Sequence, residues 1–473
     1  MPKRLFGTSG IRGLIDEKLT PLLAVKVALA FAAFLGNSGS VAVGMDARLG
    51  SPMIKSAVVA GLLAGGVNVV DFGIASTPAI LHATKRRLLK GAVAVTGSHT
   101  PPEIHGILLF KGDTAELFEE EEEKIEELVL GEGYKLVDLY RVGHVSSASA
   151  EEPYVEDILD AFGEGAFKGY KVVLDAGHSP AVHVLTRIFE QLGCSVTVIN
   201  GDVNGRFPRR PPNPLPQYLD ELRRTVVREK ADFGIAIDGD GDRDVFVDEQ
   251  GNVVTPDYMG ALFAKYELLK RKGTIVCPVN TSSVIEYVVR KYGGRYIFTK
   301  VGPPAMAEAL VKTSDAIFAF EETGKYIWPQ NIYYGDPAYA TGRLLQLISE
   351  HAPLSQLISE FPVLFQEKIA IPCPDHLKGP VLSVLLNRLK ESENVKLILI
   401  DGVKAIFENG DWILLRPSGT EPVFRCFIET SNPNRLESLK EYALKLVKEA
   451  MSTCSSQMTA SSDNWRVPSA QVE

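Results

Sequence analysis

Four short stretches of the 473-residue chain gather the residue types that chemistry needs. TGSHTPP (residues 96–102) leaves an apolar run with a hydroxyl at Ser98, an imidazole at His99 and a stiff pair of prolines. A serine alone is a weak nucleophile and needs a base, a metal or a reactive substrate beside it; the plain alternative is a hydrogen-bonded turn. DGDGDR (238–243) alternates Asp238, Asp240 and Asp242 with glycines that let the backbone curl, so three carboxylates can converge on one hard cation. Oxygen-only ligands favour Mg²⁺. An EF-hand is rejected: Glu249 fills the twelfth position, but the sixth is Arg243 and both flanks read as strands. A solvated acidic turn is the other alternative, although carboxylates this dense repel unless something cationic sits among them.

EETGK (321–325) sets Glu321, Thr323 and Lys325 together, a carboxylate, a hydroxyl and an ammonium suited to vicinal sugar hydroxyls. RPSGTEPVFR (416–425) offers Arg416, Ser418, Gly419, Thr420 and Arg425. Two guanidinium groups, two hydroxyls and free N–H groups in one turn are what a phosphate dianion requires; a plain turn is the alternative. The N-terminal LFGTSGIRG is a small-residue turn ending near Arg12. Neither a P-loop nor a G-x-G-x-x-G stretch occurs, so nucleotide binding has no support.

The elements that must position these loops follow one rhythm. SVAVGMD, NVVDFG and GAVAVTG read as buried strands separated by helical patterns; YKVVLDAG, CSVTVIN and ADFGIAID repeat the plan, and GTIVCPV, RYIFTK and AIFAFE repeat it again. Apolar strands alternating with helices predict parallel sheets covered on both faces, with ligands beyond the carboxyl ends of the strands. The expected architecture is α/β: three similar α/β domains with mainly parallel sheets, plus a smaller C-terminal α+β domain. The domains are expected over 1–150 (serine loop), 151–250 (metal loop), 251–365 (sugar loop) and 366–452 (phosphate loop). The polar GHVSSASAEEP and the turn after Asp248 read as linkers. Residues 453–473, Ser-rich and without periodicity, are expected to be a disordered tail. The acidic run ELFEEEEEKIEEL reads as a solvated helix face.

The bulk composition excludes several classes. Net charge is −9, with 45% hydrophobic and 23% charged residues, giving no global attraction to nucleic acid or to an anionic membrane. Five scattered cysteines without a C-x-x-C pair argue against a zinc site and a disulfide scaffold. No apolar leader or spanning run is evident, so a cytoplasmic location is expected.

In this order, the four motifs give a chain that resembles the α-D-phosphohexomutase family (phosphomannomutases, phosphoglucomutases and phosphoglucosamine mutases) over roughly residues 3–450. TGSHTPP is similar to its phosphoserine loop, DGDGDR to its metal loop, EETGK to its sugar loop and RPSGTEP to its phosphate loop. The resemblance implies an intramolecular phosphotransferase acting on a small-molecule sugar phosphate, interconverting hexose 1- and 6-phosphates of the mannose and glucose type. Phospho-Ser98 would donate to one end of the substrate, and the bisphosphate intermediate would turn over and return its other phosphate. Mg²⁺ would sit on Asp238, Asp240, Asp242 and the Ser98 phosphoryl oxygens. Arg12 and Arg243 would add positive charge, His99 would assist, Glu321 and Thr323 would read sugar hydroxyls, and Arg416, Ser418, Gly419, Thr420 and Arg425 would hold the other phosphate. The alternatives are a glucosamine- or pentose-phosphate mutase, a non-catalytic sugar-phosphate-binding paralogue, and a metal-dependent phosphatase. The family's serine loop usually reaches a lysine where Leu108 stands here. Lys111 and Lys325 could substitute. Lys325 is the expected choice, because Lys111 lies on the opposite strand face from Leu108.

Overall fold

The computed structural model describes residues 5–392, 394–419 and 421–462, with side chains as far as 455. These residues form two compact units. One runs to Phe361 and, apart from residues 298–300, carries the first three sheets; the other begins at Pro362.

The first sheet contains β1 (Ile11–Leu14), β2 (Ser40–Met45), β3 (Asn68–Ile74), β4 (Gly91–Val95), β5 (Ile104–Lys111) and β6 (Val145–Ser147), in the order β1-β5-β4-β2-β3-β6. The second contains β7 (Lys171–Asp175), β8 (Ser195–Ile199), β9 (Phe233–Ile237), β10 (Asp244–Asp248) and β11 (Val253–Val254), in the order β11-β10-β9-β7-β8. β12 (Thr274–Pro278), β13 (Arg295–Thr299), β14 (Ala316–Glu321) and β15 (Lys325–Ile327) form the third, ordered β13-β12-β14-β15. Parallel pairs make the interior: β4 on β2, β2 on β3, β9 on β7 and β12 on β14. β2, β4, β9, β12 and β14 are near-continuous apolar runs, as burial on both faces demands. β4 and β9 are buried at every position.

Each of these sheets then turns back at one of the motifs. β5 returns antiparallel on β4, β10 on β9 and β15 on β14. The serine, metal and sugar motifs are the tips of those three hairpins, at the carboxyl ends of β4, β9 and β14.

The second unit repeats the arrangement without parallel strands. β16 (Phe365–Pro372), β17 (Val395–Ile398), β18 (Val403–Phe407), β19 (Trp412–Pro417) and β20 (Val423–Thr430) form an antiparallel sheet, ordered β16-β20-β19-β18-β17. Helices Asp375–Lys390 and Leu436–Ser462 share one apolar core with it. The phosphate motif is the tip of the β19–β20 hairpin.

The structure differs from the sequence reading in three places. The polar stretch read as a first linker contributes β6, which adds to β3 in parallel. The turn after Asp248 is a hairpin: Asn252 lies opposite Asp248, and β11 completes the second sheet on β10. The last helix does not end before the tail expected from residue 453 but runs on to Ser462. Its buried stripe Ala443, Val447, Ala450 and Cys454 carries the helical spacing past that point and outweighs the Ser-rich composition. Residues 463–473 lie outside the described residues. All five cysteines are free and buried. Among the described residues no helix is long and apolar enough to cross a membrane.

Candidate active site

Ser98 follows β4 with φ +51, a left-handed conformation that costs a non-glycine residue energy and must be held by its surroundings. It is fully buried, and its N–H donates to Thr96 Oγ1 at 2.8 Å. Its Oγ donates to Asp238 Oδ2 at 2.8 Å and lies 3.4 Å from His99 Nδ1. The serine and metal loops therefore meet at one oxygen.

Asp238, Asp240 and Asp242 are fully buried, and one carboxylate oxygen from each lies within 4.8 Å of the others. Gly241, at φ +71, provides the curl that brings them together. Asp238 also accepts the N–H groups of Asp242 and Arg243, and Asp240 accepts the Thr77 hydroxyl at 2.6 Å. Burial and the like charges of Asp242 and Asp240 push Asp238 well above the carboxylate range. Burial and Asp242 push Asp240 up to about 6. For Asp242 burial acts in the same direction, but Lys325 and Arg243 outweigh it and hold the carboxyl below its ordinary value.

Lys325 is the reason. It begins β15, is buried, and donates from Nζ to Asp242 Oδ2 at 2.9 Å while lying 3.7 Å from the centre of the Tyr334 ring. Lys111 is elsewhere: its ammonium lies 3.6 Å from Glu121, 3.9 Å from Asp113 and over the Phe118 ring. Of the two lysines that could substitute at Leu108, only Lys325 reaches the carboxylate cluster.

Arg243 Nε lies 4.0 Å from both Asp238 and Asp242. Burial, then Arg243, Arg12, Lys325 and Arg48, push the His99 imidazole well below its usual range, so it is neutral at physiological pH. The buried atoms without hydrogen-bond partners include Asp240 Oδ1, Asp242 Oδ1, Arg12 Nε and Arg243 Nε. Orphaned acceptors and orphaned donors in one cluster ask for a cation and an anion together. The site thus fits a hard metal ion with a phosphoryl group.

The sugar motif closes over the metal motif. Thr323 Oγ1 donates to Glu321, which is buried, and the Gly324 carbonyl accepts the Asp244 N–H at 2.9 Å. Gly324 has φ +91, and a Cβ there would stand 2.3 Å from the Asp244 carbonyl oxygen, so no larger residue fits.

In the second unit, Arg416 and Arg425 face each other across the β19–β20 ladder. Like charges opposite one another are unfavourable without counter-charges. Arg416 pairs with Asp401 at 2.6 Å and the half-exposed Arg425 with Glu421 at 2.8 Å. Ser418 Oγ accepts the Glu421 N–H, and Gly419 is exposed at the tip. Thr420 lies outside the described residues. Lys378, which the sequence reading passed over, donates to the carbonyls of Ser418 and Glu421 at 2.5 Å each.

Other residues were missed in the first unit. Asp46 and Arg48, at the carboxyl end of β2, brace the serine loop. Applying the strand-end rule to MDAR would have found them. Glu116 is buried, receives the Ser9 hydroxyl at 3.0 Å on either oxygen, and is pushed up by burial to about 7 against the pull of Lys325 and Arg12. No local pattern marks it.

Comparison with known proteins agrees with this geometry. Residues 3–135, 152–251 and 255–365 match phosphoglucomutase/phosphomannomutase alpha/beta/alpha domains I, II and III, and residues 370–446 match the C-terminal domain. The chain is 38% identical to a probable phosphoglucosamine mutase of Pyrococcus abyssi, covering 96% of this chain and all of that one. It is 35% identical to a phosphopentomutase of Thermococcus kodakarensis, covering 94% and 99%. A crystal structure of a phosphoglucomutase/phosphomannomutase family protein from Burkholderia thailandensis superposes with a TM-score of 0.84 at 26% identity, covering 95% of this chain and 98% of that one. A buried serine against three carboxylates, and four matched domains in order, have one common explanation: the chain belongs to the phosphoglucomutase/phosphomannomutase family of α-D-phosphohexomutases and is an isomerase of the intramolecular phosphotransferase type.

Proposed function

We propose that the protein is a phosphosugar mutase that interconverts hexose 1- and 6-phosphates of the mannose and glucose type through a phosphorylated Ser98. The observation that carries this reading is the 2.8 Å contact of Ser98 Oγ with Asp238 inside a cluster of three buried carboxylates. A sugar hydroxyl attacks the phosphorus of phospho-Ser98; the new sugar O–P bond forms as the Oγ–P bond breaks, and the hydroxyl proton ends on Ser98. The reversed bisphosphate then returns its other phosphoryl to Oγ. Asp238, Asp240 and Asp242 would hold Mg²⁺, which would supply charge neutralisation of the kind on which phosphoryl transfer depends.

The protein's own residues do the rest. Arg12 and Arg243, whose buried Nε–H groups are otherwise unpartnered, add positive charge around the reacting phosphoryl group. Lys325 supplies a fixed positive charge beside Asp242, in the role for which the family pattern uses a lysine at position 108. The neutral imidazole of His99 assists proton movement at Oγ. Glu321 and Thr323 read sugar hydroxyls, while Arg416, Ser418, Gly419, Thr420 and Arg425 take a phosphate of the substrate.

A second reading, a mutase for glucosamine phosphate, is favoured by the full-length relative of that name and by the buried Glu321 carboxylate, which suits an ammonium as well as a hydroxyl. Coupled assays on the 1-phosphates of mannose, glucose, glucosamine and ribose separate the readings. The wild type should carry one extra phosphate by intact mass. Ser98→Ala should lose it and lose turnover by orders of magnitude while staying folded; near-normal turnover in that variant sinks the assignment.

A further inference from the structure

Ser98 sits in a backbone conformation that its own residue type disfavours, so something must hold it there. Arg48 is that something by geometry. It is buried, and its Nη2 donates to the carbonyl of Ser98 at 2.6 Å and to that of Thr100 at 2.7 Å. Its Nη1 donates to the carbonyl of Pro101 at 2.5 Å, and its Nε to Asp46 Oδ2 at 3.0 Å. Asp46 in turn accepts the Thr96 hydroxyl at 2.8 Å, the Gly97 N–H at 3.1 Å and the Ser51 hydroxyl at 2.6 Å. A Cβ at Gly97 would lie 2.6 Å from the guanidinium carbon, so the loop is closed down directly upon the arginine.

We propose that Arg48 is a positioning residue for phosphoryl transfer: its planar fork gathers three carbonyls of the serine turn and so fixes where Ser98 Oγ stands. The proposal rests on the function assigned above. Two physical consequences follow. The carbonyl ends of these peptides are turned onto a cation, so in the trans peptide after Ser98 the His99 N–H is directed away from the guanidinium. A fixed fork of donors also achieves what a point charge does not: an ammonium cannot hold three carbonyls in one plane. Arg48 itself need not touch the substrate. It acts through the main chain.

The test compares wild type with Arg48→Lys, which keeps the charge beside Asp46. Amide hydrogen exchange over residues 96–100 should quicken about tenfold or more while the β2 and β4 cores stay protected. kcat should fall about 10²-fold, the scale of an ångström-sized misplacement, with KM changed less than about threefold. If Arg48→Lys does not fold, Arg48→Gln serves, because Asp46 keeps its bonds to Ser51, Thr96 and Gly97. A residue that merely stabilises the fold would quicken exchange across the whole sheet and leave kcat of the folded variant unchanged. That result, or unaltered exchange over 96–100, overturns the proposal. Should the wild type convert none of the four sugar phosphates, the assigned function fails, and the exchange comparison still decides whether Arg48 holds the turn.

Discussion

Replacing Lys325 by methionine keeps the apolar stem and removes one charge from a buried cluster of carboxylates. The ammonium is 1% exposed and its partner Asp242 fully buried. Removing one member of such a pair costs about 3–5 kcal/mol, since the other is left charged and dry. The lost cation–π contact with Tyr334, up to about 2 kcal/mol when desolvated, is part of the same loss. Two routes soften it. Without Lys325, burial and the two neighbouring aspartates push Asp242 up, so the variant can take a proton there, and its deficit should be larger at pH 8 than at pH 5.5. The depressed carboxyl of the wild type contributes stability above the unfolded aspartate value and loses it only below that value, so it is constant between pH 5.5 and 8 and the difference belongs to the variant. A divalent cation also replaces the missing charge, so Mg²⁺ should raise the melting temperature of Lys325→Met more than that of the wild type. The assay is a set of thermal melts in EDTA and in Mg²⁺, at both pH values, with Lys111→Met as a control that should lose its Phe118 ring contact but gain no extra stability from Mg²⁺, because its ion pairs are loose and lie away from the carboxylate cluster. If Lys325→Met melts with the wild type in EDTA at pH 8, the buried pair is not what holds Asp242 in its charged form.

Two further outcomes are expected. Asp240→Asn should need markedly more Mg²⁺ to regain turnover after EDTA treatment, with the Thr77 bond retained by the remaining carbonyl oxygen; unchanged activity in metal-free buffer would remove the metal from the mechanism. Glu116→Gln keeps an acceptor for Ser9 but cannot ionise. A carboxyl raised to about 7 favours the folded state at low pH and loses that advantage as pH rises, by about 2 kcal/mol between pH 5.5 and 8, so the variant should be the more stable protein at pH 8 and lose its lead towards pH 5.5. Equal stability at pH 8 would mean that Arg12 and Lys325 already compensate the charge.

The four motif loops are legible in the sequence because each puts glycine, proline and polar residues at the end of an apolar strand, a break that local chemistry alone explains. That Lys111 turns away from the carboxylate cluster is legible too, from the alternation of side chains along β5. What stays hidden has no local signature. Glu116 meets Ser9 across 107 residues and Thr77 meets Asp240 across 163, and no spacing rule links such pairs. β6 and β11 are short edge strands, three and two residues long, below the length at which periodicity can be read. Lys378 acts through carbonyls, to which sequence patterns are blind.

Because each chemical loop is the tip of a hairpin, both of its ends are tied by ladder pairs: Val95 with Ile107, Ile237 with Asp244, Glu321 with Lys325 and Pro417 with Phe424. A change in tip length or composition is absorbed between two clamped points and does not propagate along the sheet. The architecture therefore separates what evolution can vary from what it must keep. One tip can vary while the others stay in register, and a laboratory library confined to residues 322 and 323, with Gly324 kept, should yield folded proteins far more often than one spread over the strands that flank it.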